Sequence, residues 1–101
     1  MKLSELIKTK DVPIPGTDLI VKMYEDVAWY DFVKSTQIKD EDDRGVFLLS
    51  KLIESWNLLG DDEKPLPVTE EIIKKLPMKI GSAITIYASE LIKAHIEKKK
   101  D

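Results

Sequence analysis

Cysteine is absent from this 101-residue chain, which rules out a disulfide framework, a thiolate metal site and a cysteine nucleophile. Histidine occurs once, at His95, so a multi-histidine metal site or a histidine-assisted nucleophile would need partners that the sequence does not supply. Its position near the end of a helical pattern suits a favourable charge on the last carbonyls, or plain exposure, better than catalysis. No apolar run approaches the roughly 18 residues that cross a membrane, so no membrane contact is expected. The start, MKLSELIKTK, mixes charge with apolar residues and lacks a secretory core, so a cytoplasmic location is expected. No glycine-rich phosphate loop, paired acid–base spacing or Gly-x-Ser-x-Gly elbow is present, and an enzyme has little support.

What is present is a globular composition, 43% hydrophobic and 35% charged, outside the regime of disordered chains. The length suits one domain, read as residues 1–96 with a frayed basic tail over 97–101. A net charge of −3, with Lys98, Lys99 and Lys100 as the one basic cluster, argues against nucleic acid.

The pattern predicts a mainly α fold, a compact four-helix domain with a short N-terminal β-hairpin or strand. Leu3, Leu6 and Ile7 make at most one helical turn. Leu19–Tyr24 is β-branched and apolar and reads as a strand, pairing with Val12–Ile14 across Pro15-Gly16. Asp26 is a candidate N-cap for a short helix on which Trp29, Tyr30, Phe32 and Val33 gather, and three aromatics in four residues predict burial.

The acidic run Asp40–Asp43 suits the start of the next helix. Set against a calcium loop, it puts Arg44 at the fifth position and Lys51 where the bidentate glutamate must be, which defeats the site. At 100° per residue, Val46, Leu48, Leu49, Leu52, Ile53, Trp56 and Leu59 form one arc of a helix closing on Trp56. Phe47 and Leu58 fall on the polar side. Either the N-terminal strand and the following loop cover them, or they are partner contacts.

Thr69 caps a third helix, with Glu70 and Glu71 in its first turn and Lys74 and Lys75 in its last. Pro77 stops it and opens a fourth, on which Ile80, Ala83, Ile84, Tyr87, Leu91 and Ala94 share a face, widened by Ala88 and Ile92. Gly81, Ala83 and Ala88 predict close approach of a neighbour. Ile86 sits among polar residues with the same two readings as Phe47.

Leu52-Ile53-Glu54-Ser55-Trp56-Asn57-Leu58, then Asp61–Glu71 with Pro65-Leu66-Pro67-Val68-Thr69, and Leu76-Pro77 resemble the tail assembly chaperones of long-tailed bacteriophages. The resemblance covers most of Val12–Ile96. It implies a helical protein of the host cytoplasm that binds the hydrophobic tape measure protein during tail tube assembly, without cofactor or metal. It further implies a longer frameshifted form that recruits the tail tube protein. Phe47, Leu58, Pro65, Leu66, Pro67 and Ile86 are the partner-binding candidates, and self-association into a homo-oligomer would help solubility. A structural head or neck protein, another small morphogenesis factor, or a small protein-binding regulatory module are the competing readings.

Overall fold

The computed structural model describes residues 1–99, excluding the side chains of residue 92 and of 94–99. In chain order the elements are α1 (Leu3–Leu6), β1 (Thr9–Pro13), β2 (Ile20–Tyr24), α2 (Trp29–Ser35), α3 (Glu41–Leu52), β3 (Ile53–Trp56), α4 (Glu70–Lys75) and α5 (Met78–Lys99). The fold is therefore α+β. Among the described residues, five helices accompany a three-stranded antiparallel sheet of order β1-β2-β3, and this corrects the expectation of a mainly α, four-helix domain with a single hairpin or strand.

The correction originates at Leu52–Ile53. The helix expected to run through Trp56 stops at Leu52. Ile53 still donates its N–H to the Leu49 carbonyl, but its own backbone is extended, at φ −82° and ψ 115°. The chain passes into β3 without a connecting loop. Met23 pairs with Ile53, Lys22 with Ser55 and Val21 with Trp56, leaving Glu54 as the extra residue of a bulge. Helical periodicity over Val46–Leu59 is a local signal, and pairing with the open edge of β2 overrides it. The turn rule succeeds better at the other edge: β1 pairs with β2 from Thr9↔Tyr24 to Pro13↔Ile20, and Gly16 takes φ +78° in the connection.

The Glu25 N–H donates to the Lys8 carbonyl and the Ile14 N–H to the Leu19 carbonyl, 2.8 and 2.9 Å. Antiparallel alternation then turns the backbone groups of Thr9, Asp11 and Pro13 outward along the free edge of β1. Proline is tolerated there because its missing N–H faces away from the ladder.

Val21 and Met23, fully buried, occupy the sheet face that meets the helices, and Leu52, Ile53, Ile73, Ile84 and Ala88 complete the core with Ile14. Helices α3 and α4 start where side-chain caps satisfy free amides. Asp40 Oδ1 accepts from Asp43 N at 2.9 Å, and Thr69 Oγ1 accepts from Ile72 N at 3.2 Å. Lys75 and Glu71 form an exposed ion pair at 3.4 Å. The α5 face uses Ile80, Ala83, Ile84, Tyr87 and Ala88 against the core as its spacing predicts. Gly81 is not what permits this approach, because a Cβ there would meet nothing within 4 Å. Ile92, Ala94 and His95 belong to α5, with side chains outside the described residues; Lys100 and Asp101 of the expected tail lie outside them altogether.

Candidate functional site

Two surfaces carry large apolar side chains. The first holds four of the partner-binding candidates. After β3 the chain folds back on itself: Leu66 N donates to the Leu58 carbonyl at 3.0 Å, Gly60 N donates to Lys64 O at 2.9 Å, and Leu59 bridges Pro65. Trp56 reaches across and donates its Nε1–H to the Leu66 carbonyl at 2.8 Å. Leu58, Pro65 and Leu66 are thereby joined in one hairpin, with Pro67 next to it; Leu58 and Leu66 are half-buried and the two prolines exposed. Glu63 at its tip adopts φ +64°, the left-handed region that a side chain penalises. Asn57 ties the hairpin to the sheet: its Oδ1 accepts from Ile20 N at 2.8 Å, and its Nδ2 donates to the Asp18 carbonyl at 2.9 Å.

The other two candidates stand on separate helices. Phe47 is half-buried on α3, and the Lys51 ammonium lies 5.6 Å from its ring centroid. Ile86 is 61% exposed on α5.

The second surface is one that periodicity did not indicate. On α2 the aromatics face outward, with Trp29 79% exposed, Tyr30 61% and Phe32 48%. The expectation of their burial is therefore corrected. What α2 turns inward is Ser35, 1% exposed, whose hydroxyl donates to the Phe32 carbonyl at 2.6 Å, together with half-buried Val33 and Asp31. The cap also differs: Asp26 bonds the adjacent Val27 N–H and Ala28 occupies the N-cap position. Arg44 fixes the α2–α3 link by donating from Nη2 and Nε to the Ile38 carbonyl, at 2.8 and 3.2 Å. Lys34 lies 5.1 Å over the Tyr30 ring.

Beside this ridge is an open groove of about 470 Å³. It is lined by Leu6 of α1, by Ile7 and Lys8 just after it, by Val27 and Ala28 of the β2–α2 connection, and by Lys51 of α3. Glu25, Asp26 and Asp31 line it too, and none has a cation within 4 Å among the described residues. Leu3, Leu6 and Ile7 are each more than half exposed. A sequence signal for this surface existed: a one-turn helix cannot bury three large apolar residues by itself.

Among the described residues no cluster of three or more His, Cys, Asp or Glu side chains is arranged to hold a metal ion, and no helix is long and apolar enough to cross a membrane. No family model, curated protein or solved structure matches the chain.

Proposed function

We propose that this protein is a holdase, a tail assembly chaperone of a long-tailed bacteriophage that binds the tape measure protein in the host cytoplasm and keeps it soluble while the tube assembles. The observation that carries this reading is the open apolar surface of α1 and α2 on a chain in which 35% of residues are charged. Exposed apolar area of this extent marks interaction surfaces, and a holdase needs no more than such a surface and its own solubility. The resemblance of the Leu52–Pro77 segment to tail assembly chaperones supplies the identity of the client. A frameshifted longer form recruiting the tube protein belongs to the same proposal.

The test is co-expression with the tape measure protein encoded by the same phage. The wild-type chain should move the client from the pellet to the soluble fraction and co-purify with it. Trp29→Ser with Phe32→Ser should abolish that effect while the circular dichroism spectrum and Tm stay unchanged. Phe47 and Leu58 are poorer choices, because both are half-buried and an aspartate there would also weaken the fold. A client that stays insoluble beside the folded wild-type chain overturns the reading, as does recovery of the chain in stoichiometric amount from purified virions.

A further inference from the structure

We infer that the groove between α1, the β2–α2 connection and α3 receives an amphipathic helix whose apolar stripe is bordered by lysine or arginine; the inference deepens the holdase reading and rests on it for the protein that carries the helix. Size and chemistry both point to this occupant. A space of about 470 Å³ lined by Leu6, Ile7 and Val27 takes a few aliphatic side chains at i, i+3 and i+4 spacing. Trp29 and Phe32, three residues apart on α2, stand beside it and extend the apolar contact.

The charges then select among helices. Glu25, Asp26 and Asp31 face the groove without an ion-pair partner among the described residues, and Asp31 is already half-buried. Of the two lysines in the lining, Lys51 lies over the Phe47 ring, which leaves Lys8 facing three carboxylates and the rim net negative. A helix laid across the groove strips water from these carboxylates, and an uncompensated carboxylate is costly to cover. The occupant must bring its own cations to that rim. An acidic helix meets like charge, and an anionic lipid surface is repelled for the same reason.

The experiment uses the full chain and two fluorescently labelled 18-residue peptides with the same leucine stripe, one flanked by lysines and the other by glutamates. Anisotropy titration should show the lysine peptide binding about tenfold more tightly at low salt, with the gap narrowing as salt is added. Glu25→Lys with Asp31→Lys should invert the preference, whereas Glu70→Lys with Glu71→Lys, on α4, should leave it intact. Should the first pair impair folding, Glu25→Gln with Asp31→Asn should erase the preference in a chain of normal Tm.

Equal affinity for both peptides, or a preference unchanged in the folded groove variants, overturns the inference. A dimer that the groove substitutions dissociate, in a chain that binds neither peptide, overturns it in favour of a second copy. Tape measure protein kept soluble equally well by wild type and groove variants refutes the groove and spares the holdase. A charge-selective groove in a chain that never solubilises the tape measure protein does the opposite.

Discussion

The hairpin that follows β3 and the ridge of α2 are both built from large apolar side chains, yet they end in opposite states. In the hairpin, Trp56 spends its indole N–H on the Leu66 carbonyl, Leu66 donates its backbone N–H to the Leu58 carbonyl, and Asn57 stitches the start of the turn to the sheet. On α2, Trp29 and Tyr30 stand in solvent, and the inward side of the helix is held by a serine and by its packing on α3. The difference teaches that aromatic content says little about burial until the polar atoms are accounted for. Trp56 is anchored because a carbonyl lies within its reach; among the described residues Trp29 has no such anchor.

Substitutions can break or sharpen this contrast. The largest effect belongs to the closed region's foundation: Leu52→Ala, at 2% exposure where α3 meets β3, should lower stability by about 3 kcal/mol in urea unfolding. Next comes Trp56, where Trp56→Phe retains most of the ring packing but leaves the Leu66 carbonyl without its donor, for a loss of about 1 kcal/mol. Of similar size and opposite sign, Glu63→Gly relieves a side chain at φ +64° and should raise stability by about 1 kcal/mol. Smallest is the open ridge: Trp29→Ser with Phe32→Ser should shift stability by no more than about 0.5 kcal/mol, despite removing two aromatics. A large loss there would mean that the ridge is structural, and the contrast would collapse.

Much of the scaffold was legible in the residues. Pro15-Gly16 between β-branched segments announced the first hairpin, and Thr69 with Glu70, Glu71, Lys74 and Lys75 announced α4 together with its cap and its i,i+4 ion pair. Strand β3 was hidden because Ile53 and Trp56 continue the helical spacing of Val46 and Leu49, and only the distant edge of β2 decides that they are extended. The aromatic ridge was hidden for a different reason. Burial of Trp29, Tyr30 and Phe32 was inferred from residue type, whereas α2 is too short and too lightly packed to conceal them. The candidates Leu58, Pro65, Leu66 and Pro67 do adjoin one another, through hydrogen bonds that no spacing rule specifies. The groove draws on α1, the β2–α2 connection and α3, so no single window of the sequence contains it.

Pro13 also shapes what the free edge of β1 can do. A molecule that keeps aromatic surface uncovered is exposed to a second hazard, the stacking of sheets from successive copies into a fibre. With a proline among the three residues whose main chain points off the sheet, the carbonyl of an incoming strand finds a ring methylene where it needs an N–H donor, and the ladder is interrupted there. Along the β1 edge, stickiness is thereby left to side chains, which let go, rather than to the backbone, which would not.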